Sequence, residues 1–313
     1  MTRALVFPGQ GSQAVGMGKE LALAFTTARD VFGEIDEALQ QNLSRLMFEG
    51  PESDLTLTEN AQPALMAVSL AVARVLEKDG GFELKRHAAF VAGHSLGEYS
   101  ALAAARSLQL TDAARLLKRR DLAMQRAVPV GVGAMAALLG MEIEPARAVA
   151  KDAAQGEVCD AANDNGPGQV VVSGHKTAVE RAIAIAAERG ARRSIMLPVS
   201  APFHCALMKP AADEMVEALA QVKLGEPWVP LIANVSAQPV QDPDEIKRLL
   251  VEQVTGLVRW RECVLTMKDQ GVDTLVELGA GRVLSGLAKR IDRELTTSSI
   301  GTPAEVEAFL KTI

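Results

Sequence analysis

Five consecutive apolar residues, Ala88-Ala89-Phe90-Val91-Ala92, run straight into Gly93-His94-Ser95-Leu96-Gly97 and then into an alanine-rich segment over 99–105. No other stretch constrains the fold as tightly. An apolar run without alternation has no solvent-facing side, so as a strand it must be covered on both faces. A sheet between two layers of helices provides that cover. Further strands are predicted at 4–7, closed by Pro8-Gly9, and at 274–278, closed by Gly279-Ala280-Gly281. Helical periodicity lies between, at 19–39, at 60–76 with Pro63 near its start, and up to Ala127 from a Thr111 cap. Strands alternating with helices predict an α/β fold with a mainly parallel sheet.

The middle of the chain breaks that rhythm. Strands are expected at 134–139, 158–162, 169–173 and 193–197, and helices at 145–155 and 177–188. Asn163-Asp164-Asn165-Gly166-Pro167-Gly168 reads as the turn between the second and third strands. The order β-α-β-β-α-β is the ferredoxin-like signature. It predicts an inserted subdomain over 126–198 within a discontinuous main domain of 1–125 and 199–313. The 313 residues suit two units of this kind. After the insert, strands are expected at 229–234 and 274–278, with helices at 211–221, 244–254, 263–270, 283–291 and 304–311.

Composition removes several functions. The net charge is −6 and no dense basic stripe is present, which argues against nucleic acid and anionic membranes. Three widely spaced cysteines without a CxxC support neither a disulfide framework nor a zinc site. The apolar N-terminal run is too short for a signal peptide, and no stretch is long enough to span a bilayer. A cytoplasmic protein without metal or redox cofactor is expected, and nothing in the chain asks for more than a monomer.

Gly93-His94-Ser95-Leu96-Gly97 fits G-x-S-x-G, and its context of buried strand before and helix after gives the pattern weight. Ser95 would stand on a sharp turn at the helix N-terminus, where free N–H groups favour a developing negative charge. The Leu96 N–H is a natural oxyanion donor. The plainer alternative is a glycine-rich turn with an incidental serine. A serine nucleophile needs a base, and the chain has four histidines. His94 should point away from its neighbour, His87 lies in a charged loop, and His175 starts a helix. That leaves His204, in a loop held by Pro198 and Pro202, as base or as a satisfied structural histidine.

Taken together, these residues resemble the malonyl-CoA:acyl carrier protein transacylases and the related acyltransferase domains of polyketide and fatty-acid synthases. The likeness spans essentially the whole chain. It rests on Phe7-Pro8-Gly9-Gln10-Gly11-Ser12-Gln13, on Gly93 to Tyr99, and on Arg120 ahead of Met124-Gln125. It continues with Asn165-Gly166-Pro167-Gly168-Gln169, Pro202-Phe203-His204 and Glu277-Leu278-Gly279. Ala280 departs from the proline of many relatives, away from the chemistry. The resemblance implies a hydrolase-like α/β domain interrupted by the ferredoxin-like insert.

It also implies roles. Ser95 would be the nucleophile and His204 the base, with the Gln10 and Leu96 amides as oxyanion hole. Arg120 would grip the malonyl carboxylate as a two-bond fork. The residues alone do not separate Arg120 from Arg119; the spacing to Met124-Gln125 does. The Gln253 carbonyl would orient His204, so no aspartate is needed as a third member. Phe203 would crowd an α-methyl branch, and Asn163 or Asn165 would line the cleft or serve the turn. The partners implied are malonyl-CoA and acyl carrier protein, an acidic molecule that calls for a basic patch. Candidates are Arg115, Lys118, Arg119, Arg192, Arg193, Arg282, Lys289 and Arg290. A polyketide or malonate decarboxylase acyltransferase, a serine esterase or thioesterase, and an inactive carrier-binding scaffold are the competing readings.

Overall fold

The computed structural model describes residues 2–313; Met1, the first residue of the predicted main domain, lies outside them. Six strands form the main sheet: β1 (Arg3–Phe7), β2 (Phe90–Gly93), β7 (Leu231–Ile232), β8 (Pro239–Val240), β9 (Thr274–Leu278) and β10 (Thr296–Ile300). Their order is β10-β9-β1-β2-β7-β8. Every pairing is parallel except β7 with β8, so the sheet is mixed and mostly parallel. Alternation along β1 sends Leu5 and Phe7 into one core, and Ala4 and Val6 into a second core on the opposite face. Both faces are thus dry, as the unbroken apolar runs require.

The second sheet has four strands: β3 (Gly133–Leu139), β4 (Cys159–Gly166), β5 (Gln169–His175) and β6 (Arg193–Met196). Its order is β4-β5-β3-β6, and all its pairings are antiparallel. Helices Ile143–Ala154 and Lys176–Glu188 complete the β-α-β-β-α-β order. On β3, Ala134, Ala136 and Leu138 join a separate core under those helices, whereas Met135 and Ala137 join the large core of the main domain. One face of the small sheet therefore looks at the main domain.

Several expectations shift. The helix read over 19–39 is two, Lys19–Ala24 and Thr26–Leu39, parted by an extended Phe25 that packs on the main core. Thr111 does not cap; the N-cap is Gln109, with no side-chain bond. The expected turn 163–168 is mostly strand, because Val258 gives β4 an outside partner. Val258 N–H donates to Ala162 O, and Asp164 N–H donates to Val258 O, both at 2.9 Å. Two register shifts accommodate this bridge, leaving only Pro167-Gly168 as the turn. The strand read over 229–234 shortens to Leu231–Ile232, and the helix read over 263–270 begins at Trp260. Strand β10, Thr-Thr-Ser-Ser-Ile, was not expected: it is a polar edge strand with no apolar run to betray it. No helix among the described residues is long and apolar enough to cross a membrane, and Cys159, Cys205 and Cys263 are buried and free.

Candidate active site

Ser95 sits where β2 turns into helix Gly97–Ala104, with a left-handed φ of 52°. A side chain in that region is strained and needs surroundings that hold it. Neighbouring glycines make the turn possible. A Cβ on Gly93 would lie 1.9 Å from the Gly97 carbonyl carbon, and one on Gly97 would lie 2.2 Å from Phe7 O. Asn234 pins the turn from the far side: its Oδ1 accepts from Ser95 N–H at 2.8 Å, and its Nδ2 donates to Gly93 O at 2.7 Å.

His204 arrives on the chain's return from the second sheet. It too has a left-handed φ, 57°, and is 4% exposed. Pro202 beside it packs where any Cβ on Gly133 would stand, 2.3 Å from its Cγ. His204 Nε2 lies 2.8 Å from Ser95 Oγ, and Nδ1 lies 2.8 Å from Gln253 O. That carbonyl belongs to the last turn of helix Pro243–Thr255, where carbonyls lack intrahelical partners. It can only accept, so Nδ1 carries the proton and Nε2 is free to take one from Ser95. Burial, and then the nearby Arg120 charge, push the imidazole down to about 3, so it is neutral at ordinary pH.

Arg120 is 1% exposed on helix Leu110–Ala127. Its Nη1 donates to Gln62 Oε1 at 2.7 Å, and its Nη2 donates to Gln253 Oε1 at 2.9 Å and to Ser95 Oγ at 3.1 Å. The guanidinium also stands 5.9 Å from the Tyr99 ring centroid. Both side-chain anchors other than serine are neutral amides, so they hold the charge without cancelling it. Arg119 turns outward instead, to Glu214 at 3.1 Å and Glu217 at 3.6 Å.

These groups line a cavity of about 240 Å³ between the two sheets. Gln10, Ser95, Leu96, Arg120, Phe203 and His204 all border it, together with Gln62 and Asn163. Asn165 stands one step back, its Oδ1 2.8 Å from Nε2 of the half-buried His94. That bond takes His94 away from Ser95, as expected. His175 holds the N-cap position of its helix without a side-chain cap, and accepts from Val158 N–H at 2.9 Å through Nδ1. His87 Nδ1 accepts from Glu83 N–H at 3.0 Å. Glu277, in the last recurring motif, is fully buried and accepts from Leu284 and Ser285 N–H at 3.0 and 2.8 Å, capping helix Val283–Ile291.

Gln62 and Asn234, which hold Arg120 and Ser95, escaped the sequence reading, and so did the buried Glu98. A faint signal existed for two. Gln62 is a polar residue in a strongly apolar helix, and Glu98 is an acid inside an alanine-rich one. Among the cations proposed as a patch, Arg282 pairs with Glu305 at 2.6 Å. Arg192 lies against Gly140, and Arg290 donates to Gln169 Oε1 at 2.9 Å, so both gather near the Pro167-Gly168 turn.

Asp121, next to Arg120, is fully buried, and neither carboxyl oxygen has a hydrogen-bond partner among the described residues. Burial raises its pKa well above the usual carboxylate range; Arg120 and Lys118 oppose this and Glu59 adds to it. The folded protein then keeps a proton that the unfolded chain has already lost. Folding takes up a proton, and this group's contribution to stability falls as pH rises above the unfolded value near 4. Asp121→Asn takes up none. Its stability relative to wild type is expected to climb between pH 4 and 8, by at most about 1.4 kcal/mol per pH unit. Denaturant melts across that range check this, and parallel curves for the two proteins would contradict it.

Residues 4–297 match the acyl transferase domain family. The malonyl CoA-acyl carrier protein transacylase of Bacillus subtilis (strain 168) is 45% identical over 311 residues, which cover 99% of this chain and 96% of the relative. The crystal structure of an acyl-carrier-protein-S-malonyltransferase from Bartonella henselae is 54% identical, with TM-score 0.97 over 100% of this chain and 99% of that one. A malonyl-transacylase solved in complex with its type II PKS acyl-carrier protein is 42% identical, with TM-score 0.96 and 100% of both chains covered. A serine–histidine pair beside a buried arginine, in a chain matching along nearly its full length, leads to one assignment: the chain belongs to the acyl transferase domain family.

Proposed function

We propose that the protein transfers malonyl from malonyl-CoA to the phosphopantetheine thiol of acyl carrier protein, supplying fatty-acid synthesis. Full-length identity to relatives named for that transfer supports the activity. The observation that carries the mechanism is Arg120: a buried guanidinium beside Ser95 Oγ, held only by neutral side chains. Such a cation fits an acyl group that ends in a carboxylate.

In this reading His204 Nε2 takes the Ser95 hydroxyl proton as Oγ attacks the malonyl thioester carbonyl. The oxyanion is received by the Gln10 and Leu96 amides. The C–S bond breaks, and the CoA thiolate takes the proton from His204. The carrier thiol then gives its proton to His204 and attacks the malonyl-Ser95 ester, releasing the serine. The Gln253 carbonyl keeps the imidazole in one tautomer throughout. Phe203 at the cavity wall disfavours an α-methyl branch, a preference worth about 1–3 kcal/mol. Asn163, rather than Asn165, is the amide placed to meet substrate directly. No metal or redox cofactor enters these steps.

The β-α-β-β-α-β unit is read as a ferredoxin-like insert of 126–198, within a hydrolase-like domain of 1–125 and 199–313. A cytoplasmic, monomeric enzyme belongs to the same proposal. Arg192 and Arg290 near the Pro167-Gly168 turn are suited to an acidic carrier. The likeness to a transacylase that serves a PKS carrier favours polyketide synthesis as the second pathway.

The test is intact-protein mass spectrometry after malonyl-CoA, followed by a chase with holo acyl carrier protein. The expected result is one malonyl adduct on Ser95 that moves to the carrier thiol. An adduct that only hydrolyses to malonate would instead make the protein a thioesterase. No adduct at all would leave it a scaffold.

A further inference from the structure

Glu98 closes the glycine–serine motif, yet it touches neither the cavity nor a reacting atom. It is 1% exposed, on helix Gly97–Ala104. Both of its oxygens accept. Oε1 takes the Asn234 N–H at 2.6 Å, and Oε2 takes an N–H from Gln253 Nε2. The same Nε2 also donates to Ser95 O at 2.9 Å. At the other end of that amide, Oε1 accepts from Arg120. A carboxamide has one accepting end and one donating end. The acceptors at the Nε2 end, the Glu98 carboxyl beside the Ser95 carbonyl, therefore decide which way round the amide lies. Reversed, it would point NH₂ at the guanidinium, donor against donor.

We propose that Glu98 is a positioning residue that sets the polarity of the Gln253 amide and, through it, keeps Arg120 aimed at the acyl carboxylate. The proposal rests on Arg120 as the carboxylate clamp. It separates two duties of Gln253. The main-chain carbonyl holds His204 by virtue of the helix end, whatever the side chain does. The side chain serves Arg120 and depends on Glu98. Burial raises Glu98 to about 8 even against the Asn234 and Gln253 hydrogen bonds and the Arg120 charge, which oppose it. The proposal stands on the geometry, in which both Glu98 oxygens are placed as acceptors.

The experiment compares malonyl-CoA with acetyl-CoA, which differ by one carboxylate, and follows ester formation on Ser95 by intact-protein mass. Glu98→Gln keeps the size but sets an NH₂ against one of the two donors. The malonyl-to-acetyl rate ratio is expected to fall about tenfold or more, the scale for losing one hydrogen bond to a charged group. In a Gln253→Met background, adding Glu98→Gln should change the ratio no further, because the amide it acts through is gone. An equal loss for both thioesters would mean a purely structural residue and would overturn the proposal. Arg120→Ala separates the two layers. If it leaves the ratio intact, the clamp reading fails; if it collapses the ratio while Glu98→Gln does not, only the role of Glu98 fails. Glu98→Asp, too short to reach both donors, carries the same expectations should Glu98→Gln not fold.

Discussion

A Ser95→Gly protein is expected to take up no malonyl, and yet to be more stable than Ser95→Ala. Both variants lack the hydroxyl that meets His204, and loss of an activated nucleophile costs on the order of 10⁴-fold or more in rate. Their stabilities should differ because Ser95 is held at a φ of 52°. An alanine there keeps the Cβ clash of the left-handed region, about 1–2 kcal/mol. A glycine removes it, at an entropic cost of about 0.5–1 kcal/mol in the unfolded chain. The balance favours glycine by roughly 1 kcal/mol or less, readable in denaturant melts. Transfer by either variant at the wild-type rate would remove Ser95 from the mechanism, and an alanine variant as stable as the glycine would remove the strain.

Arg120→Ala should lower kcat/KM for malonyl-CoA by about thirtyfold or more. Truncating one partner of a buried, hydrogen-bonded charge pair costs about 2–5 kcal/mol. Acetyl-CoA should lose far less, since it never used the charge. Arg120→Lys should recover little, because an ammonium cannot present two parallel N–H groups to a carboxylate. Truncation also strips the amide oxygens of Gln62 and Gln253 of a charged donor. A stability loss of about 1–3 kcal/mol should accompany the kinetic one. Steady-state kinetics with both thioesters, beside melts, separate the two effects. An unchanged preference for malonyl would place the carboxylate elsewhere in the cavity.

Much of the architecture was legible because burial writes itself into periodicity. The dry strand before Ser95 and the β-α-β-β-α-β order both follow from apolar spacing. Failures occurred where another force decided. Asn163-Asp164-Asn165 has turn composition, but Val258, nearly a hundred residues on, pairs with that segment and draws it into a strand. Strand β10 is polar because only an edge is asked of it. Arg119 and Arg120 are chemically equivalent in the sequence; a rotation of about 100° per helical residue sends one to solvent and one to the cavity. The site's inner shell was readable by motif. Its support was not, since Asn234 reaches Ser95 across 139 positions and Gln253 reaches Glu98 across 155. No local pattern encodes such partnerships.

The chain's return from the small sheet delivers His204, with Pro202 seated against Gly133 at the start of that sheet. Catalysis is therefore a sensor of how firmly the small sheet is seated. A disturbance too mild to melt the main sheet would still draw the imidazole away from the Gln253 carbonyl. In a denaturant series, activity should fade ahead of the global unfolding signal, and the enzyme would go silent while most of its fold remained.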